Sequence, residues 1–233
     1  MAGSSRARRF PVVFGAAGLI LLGGGLYSGG VSLIALWPGV NFLILAVIYG
    51  MDRPRWLGKR DDGRMDPAHV IVLFPFFGFI WTMWRIFSAI TPEPASHEVA
   101  PGLHLGRRPL PGQLPAGVTL VVDLTAEFPS YRAQGVEVIG AWSLDAKAPP
   151  AVDLDRVVDH AARHPGGVLI HCAAGHGRSA LVAALVLIRR GLAVGLDSAE
   201  RALKDVRPAV RLHGAQRVAG EAALARDSAR RRS

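Results

Sequence analysis

The sequence predicts an α/β chain in which N-terminal transmembrane helices precede a domain with a central, mostly parallel sheet flanked by helices. Three observations predict it. Residues 11–50 carry no charged side chain. Beyond residue 92, short β-branched runs alternate with amphipathic stretches that stop at Gly or Pro, the pattern of parallel strands joined by helical crossovers. Within that half, residues 167–190 read as a strand, a loop of small residues and a helix, an order that cradles anions.

Composition supports the apolar half of this reading. Of the 233 residues, 50% are hydrophobic and only 19% charged, too apolar for an ordinary soluble chain. The forty uncharged residues 11–50 exceed one span of about 20 residues. A break at Tyr27-Ser28-Gly29-Gly30 divides them into spans 11–28 and 31–50. A basic start (Arg6, Arg8, Arg9) before an apolar run also fits a signal peptide, but the second run follows at once, which favours a helical hairpin. Residues 69–90 form a third apolar segment, spanning or re-entrant. It carries Trp81, Trp84 and a single charge at Arg85, and Pro75 is expected to kink it or turn it back. The expected domains are therefore a membrane anchor, 1–91, and a second domain, 92–233.

The net charge is +9, with nine Lys/Arg against four Asp/Glu in residues 1–91. Basic residues beside apolar segments suit anionic lipid headgroups. With no aromatic-interleaved basic stripe, nucleic acid is not an expected partner. The basic start and the Arg-rich 51–67 loop belong on the cytoplasmic side. If 69–90 does not cross, residues 92–233 lie there too, and this is the orientation adopted. The single cysteine excludes an intrachain disulfide and a multi-cysteine metal centre; no metal and no cofactor is expected.

After a linker, Thr91-Pro92-Glu93-Pro94-Ala95-Ser96, strands are expected at 117–123, 136–142 and 168–170. Helices are expected at 153–164, capped by Asp153, and at 179–190, where Gly191 follows Arg189 and Arg190. Two more are expected at 198–206, stopped by Pro208, and at 214–226.

The loop reads His171-Cys172-Ala173-Ala174-Gly175-His176-Gly177-Arg178-Ser179. Between a strand and a helix N-terminus its backbone N–H groups would point at a bound anion. Gly175 and Gly177 permit close backbone approach, and Ala173 and Ala174 leave the bowl unobstructed. A thiol in such a setting is drawn towards its nucleophilic form, yet full ionisation multiplies the thiolate by at most about 30-fold. Most of any rate enhancement must therefore come from loop N–H donors and the Arg178 fork gripping phosphoryl oxygens.

This His-Cys-x5-Arg-Ser run resembles the signature of the cysteine-dependent protein tyrosine phosphatases, and the short domain is most similar to their dual-specificity branch, as a membrane-anchored, bacterial-type member. The resemblance covers about 99–219. It takes in Pro101-Gly102-Leu103-His104-Leu105-Gly106-Arg107 and, later, Val206-Arg207-Pro208 with Gln216. It implies a dual-specificity-phosphatase-like fold and a phosphomonoester hydrolase working through a phosphocysteine. Cys172 would be the nucleophile, and residues Ala173, Ala174, Gly175, His176, Gly177 and Arg178 would bind phosphate. Ser179 would hydrogen-bond the sulfur and His171 would help hold the thiolate.

The family takes its general acid from a loop about 30 residues before the cysteine, where Asp145 fits. Asp153 and Asp155 are rivals, but they open a helix, and Asp123 reads as a support for the loop. His176 lies where lipid-directed relatives often carry Lys, so it either contacts substrate or faces solvent. Low-molecular-weight phosphatases and arsenate reductases share Cys-x5-Arg, but they keep it near the chain start, and the reductases need further cysteines. The implied partners are a phosphorylated protein or a phospholipid, and the membrane. A phosphate-binding module without turnover is the remaining alternative.

Overall fold

The structure is a computed structural model that describes residues 3–230 and 232. It divides into two compact units. One is built mainly from Pro92–Thr125 and Ser130–Ser233, the other from Ser5–Thr91 with Ala126–Pro129.

The first unit holds five strands: β1 (Ser96–Ala100), β2 (Leu103–Arg107), β3 (Val118–Thr125), β4 (Glu137–Ser143) and β5 (Gly167–Cys172). Their spatial order is β1-β2-β5-β3-β4, with β2, β5, β3 and β4 parallel and β1 antiparallel at the edge. The expected mostly parallel sheet is therefore present, and β5 lies at its centre. Strand alternation sets what β5 presents. Val168, Ile170 and Cys172 join the main core, whereas Leu169 packs with Val118 and Val121 in a smaller cluster.

Among the described residues this unit holds four helices, and each follows an apolar stripe in the sequence. They are Ala151–Arg163, Arg178–Arg189, Leu196–Val206 and Ala215–Arg230. The first buries Leu154, Val157, Val158 and Ala161, the stripe the sequence marks out. It begins two residues earlier than expected, with Pro150 at the cap position and no side-chain cap. Asp153 lies inside the first turn and pairs with Arg156 at 3.4 Å, so its expected capping role is corrected. There it still faces the positive end of the helix dipole. The helix Arg178–Arg189 is buried from Arg178 to Leu187 and ends with Gly191 at φ 73°, a left-handed stop natural to glycine.

In the second unit the helix Gly3–Ser28 is followed by a 3-10 turn at Gly30–Ala35 and the helix Leu36–Gly50. Gly29 and Gly30 both have positive φ at the break between them. Arg9–Ser28 and Gly30–Gly50 are long and apolar enough to cross a membrane. They approach closely where side chains are missing: a Cβ on Gly18 would come within 2.9 Å of the Gly39 carbonyl oxygen, as in small-residue membrane packing. The third apolar segment is not one helix. It breaks at Leu73 into Pro67–Val72 and Phe74–Ile90. The cause is Pro75, which offers no N–H and whose ring crowds the carbonyl four residues back. The broken turn leaves the Val72 carbonyl to accept from Asn41 Nδ2 at 2.8 Å and Trp37 Nε1 at 3.1 Å. In the same unit, Trp81 Nε1 donates to the Glu127 carbonyl at 2.9 Å.

Candidate functional site

The site grows from the C-terminal end of β5, where ligands gather in open α/β sheets. Cys172 is the last residue of the strand, 4% exposed, and its Sγ lies 3.2 Å from the Gly175 amide nitrogen and 3.3 Å from Ser179 Oγ. The helix that opens at Arg178 has Gly177 at its cap position with no capping side chain, and the N-terminal end of a helix suits an anion.

The loop's carbonyls explain why its amides face inward. Four consecutive ones are held from outside. Ala173 O accepts from the Arg108 amide at 3.4 Å and His176 O from the Arg211 amide at 3.0 Å. Ala174 O and Gly175 O accept from Arg207 Nη2 and Nε, each at 3.1 Å. A trans peptide sends its N–H opposite to its C=O. The amides of Ala174, Gly175, His176 and Gly177 are thereby turned to the other side, and that of Gly175 meets Cys172 Sγ at 3.2 Å. Gly175 has φ 85°, and a Cβ there would meet the Gly106 carbonyl carbon at 2.5 Å and the Arg107 nitrogen at 2.6 Å. No other residue fits.

Arg178 is 2% exposed. Its Nη1 donates to the Ser143 carbonyl at 2.8 Å, and its Nη2 lies 3.6 Å from Asp145 Oδ1. The structure therefore brings Cys172, Arg178, Ser179 and Asp145 together. Asp145 remains 65% exposed and sits in a turn closed by the Lys147 amide donating to Leu144 O at 3.1 Å, with Ala146 at φ 60°. Its rivals are occupied elsewhere: Asp153 with Arg156, and Asp155 with Arg226 and Arg230. His171 is fully buried, and its Nδ1 lies 3.4 Å from the Cys172 carbonyl, so its ring meets the backbone of the residue read as the nucleophile. Asp123 accepts from the Thr125 amide and hydroxyl (2.9 and 2.7 Å) and from Ser130 Oγ at 2.7 Å. It braces the strand ends and the segment after β3.

His176 pairs with a carboxylate from the segment read as a linker. Its Nε2 lies 2.7 Å from Glu93 Oε2, and the same oxygen receives Arg207 Nη2 at 2.6 Å. Arg207 is completely buried and also donates through Nη1 to the Pro94 carbonyl and to His97 Nδ1, both at 3.1 Å. Burial lowers the Arg207 pKa below the usual arginine range, while Glu93 and the Cys172 sulfur act to raise it. His97 is likewise pushed below its ordinary value, first by burial, then by the Arg207 charge, with Glu93 opposing. Its Nδ1 can then accept from Arg207.

Among solved structures, the chain is similar to human DUSP28, with 27% identity over 57% of this chain and 98% of that one and a TM-score of 0.50. It is also similar to PTPMT1, crystallised in complex with PI(5)P, at 21% identity over 57% and 99% of the two chains, with the same TM-score; that likeness bears on fold alone. No protein-family model and no curated protein matches the chain. The chain belongs to the dual-specificity and tyrosine phosphatase superfamily.

What sequence reasoning missed in this phosphatase is the outer shell of the loop. Glu93, read as linker, is part of it, and so is His97. The available signal was a lone carboxylate between Pro92 and Pro94, since two prolines fix an extended backbone that can present one charge in one direction. Arg207 stood out only through the resemblance. Gln216 joins the same shell: its Oε1 accepts from the His213 amide at 3.2 Å and its Nε2 reaches the Lys147 carbonyl at 3.4 Å.

Proposed function

We propose that this chain is a membrane-anchored phosphomonoester hydrolase of the dual-specificity type, acting through a phosphocysteine on phosphotyrosine and phosphoserine/threonine. The observation that supports it most is the set of four outward-bonded loop carbonyls, 173–176, which turn the following amides inward, with that of Gly175 on Cys172 Sγ. Those amides and the Arg178 guanidinium suit the three equatorial oxygens of a transferring phosphoryl group, where charge is spread in the transition state.

In the proposed reaction Cys172 Sγ attacks phosphorus in line with the ester oxygen. The S–P bond forms as the P–O bond breaks, and the departing oxygen takes the proton of Asp145. A water molecule then attacks the phosphocysteine, giving its proton to the Asp145 carboxylate. Phosphate leaves and the sulfur recovers its electron pair. Ser179 Oγ, 3.3 Å from Sγ, donates to the sulfur as negative charge returns to it. Exposure of Asp145 suits a group that must meet both the leaving group and water.

Residues 1–91 are proposed as the anchor and 92–233 as the catalytic domain, on the cytoplasmic side. The two long apolar helices support the anchor, and the basic 51–67 loop supports the side. A phospholipid substrate is the second reading. It is favoured by two basic residues, Arg108 and Arg211, whose backbone amides bond the loop carbonyls, and by the proposed anchor.

The test is phosphate release by the full-length chain from p-nitrophenyl phosphate, phosphopeptides and phospholipids in parallel. Turnover that vanishes in Cys172→Ser while phosphopeptide binding persists supports the first reading. Release from phospholipid alone selects the second. Phosphopeptide capture without any turnover by the unsubstituted chain overturns both in favour of a binding module.

A further inference from the structure

A cluster of metal-binding donors lies away from the catalytic loop. We propose that Glu137, His160 and His164 form a binding site for one zinc-type divalent transition cation. Glu137 opens β4, His160 lies in the last turn of the helix Ala151–Arg163, and His164 is its C-cap residue. One donor atom from each comes within 4.8 Å of the other two. Glu137 Oε1 and His160 Nε2 are already 3.1 Å apart. A tetrahedral zinc ion with bonds of about 2.0–2.1 Å spaces its donors about 3.3 Å apart. One pair of donors is therefore at metal spacing, and a small side-chain rotation brings in the third.

The arrangement follows from backbone geometry. Residues four apart share a helix face, and two histidines so placed are a common zinc-binding pair. His164 keeps a helical φ of −62° while its ψ of 128° turns the chain away, so its ring stays on that face at the helix end. The rings of His160 and His164 stack at 6.2 Å. Thr119 Oγ1, on the neighbouring strand, lies 2.8 Å from His164 Nε2 and orients the ring, as outer partners do for ligating histidines. Gly166 makes room for this contact, since a Cβ there would collide with Thr119 Oγ1.

Two imidazoles and a carboxylate suit zinc, whereas magnesium and calcium prefer all-oxygen sites. Glu137 and His160 are 47% and 43% exposed, so water completes the coordination. β4 runs from Glu137 to Ser143, whose carbonyl holds Arg178. Six strand steps, about 20 Å, separate the proposed metal from the phosphate loop. The ion would fasten the end of a helix to the start of a strand and take no part in phosphoryl transfer.

The test uses the full-length chain carrying Cys172→Ser, which removes the one thiol of the sequence as a rival ligand. Equilibrium dialysis against Zn2+ should give one bound ion per chain, with a rise in melting temperature. Co2+ should give the visible absorption of a four-coordinate site. His160→Ala with His164→Ala should lower Zn2+ affinity at least about tenfold and abolish both the Co2+ band and the thermal shift. Glu137→Gln should weaken all three. The metal-free melting temperature should stay within a few degrees of the parent in each variant, since such exposed pairs contribute little, which verifies folding. One equivalent bound equally by the double variant, or no saturable binding by the parent, overturns the assignment.

Discussion

The phosphate loop, residues 172–178, and the acid-bearing turn, residues 144–147, meet at Arg178 but are held in different ways. Every carbonyl from 173 to 176 is bonded from outside the loop, two of them by the buried Arg207. The turn is closed by Lys147 N donating to Leu144 O, and carries its aspartate 65% exposed. Donors that stabilise charge must be fixed before the reaction, since reorganisation would consume the stabilisation they give. An acid that later serves as a base must reach the leaving group and then water. Under the proposed mechanism, rigidity is concentrated where charge would develop, and accessibility where a proton would move.

Arg178→Lys strikes the rigid side hardest. A lysine keeps the charge but loses the planar fork and the bond to Ser143 O at 2.8 Å. The expected loss in kcat is about 100- to 1000-fold, read by steady-state turnover of p-nitrophenyl phosphate. Activity within a few-fold of the parent would remove Arg178 from the transition-state contacts.

Asp145→Ala tests the accessible side and should depend on the leaving group. With an alkyl phosphate, which needs protonation, turnover should fall about 100-fold at acidic pH. With p-nitrophenyl phosphate, a better leaving group, the loss should be smaller. An equal loss for both substrates would argue for a binding role, and no loss would return the search to other carboxylates.

Arg207→Lys probes what holds the loop without touching substrate. One ammonium cannot replace five contacts, to Ala174 O, Gly175 O, Pro94 O, His97 and Glu93. The expected result is about a tenfold fall in kcat with a smaller change in KM, and a lower melting temperature. His97 adds a pH signature. Its pKa is lowered in the folded state, so the unfolded chain binds the proton more readily. The stabilisation is present above the ordinary value of 6.5 and is lost as pH falls through the lowered one. His97→Gln should flatten that part of the stability profile, measured by thermal melts across pH.

How far the sequence carried this reading follows from what each feature depends on. The loop was legible because its requirements are local: a strand end, a helix start and a glycine at 175 with no room for a Cβ. The central sheet was legible because β5 and β3 are continuous apolar runs. The Glu93–His176–Arg207 cluster was not, because its members are 83 and 31 residues apart in sequence and meet only once β1 pairs with β2. The same holds for Glu137, His160 and His164, since only folding lays the last turn of one helix beside the first residue of β4. The break at Leu73 was half legible: Pro75 announced a disturbance, but the side chains that receive the freed Val72 carbonyl come from Trp37 and Asn41 in a different helix.

Asp155→Asn marks the far limit of the comparison, a change that should alter stability and leave catalysis alone. Asp155 receives Arg226 in a two-point contact, Nε to Oδ2 at 2.9 Å and Nη2 to Oδ1 at 2.8 Å, with Arg230 at 3.3 Å. These bonds tie the helix Ala151–Arg163 to the helix Ala215–Arg230. The Arg226 hydrogen bond holds the carboxyl below its usual range, against the opposing effect of burial. Because the folded value is the lower one, the stabilisation is present above about pH 4 and is lost as pH falls through the folded value. Asparagine keeps the shape but cannot accept a charged fork at both atoms, so the expected cost is about 1–2 kcal/mol at neutral pH. Urea denaturation should show that loss shrinking in acid, while kcat stays at the parent level because neither Asp155 nor Arg226 touches the phosphate loop. A fall in kcat would mean that this helix pair helps set the catalytic loop, and the division between fixed and accessible parts would then extend well beyond Arg178.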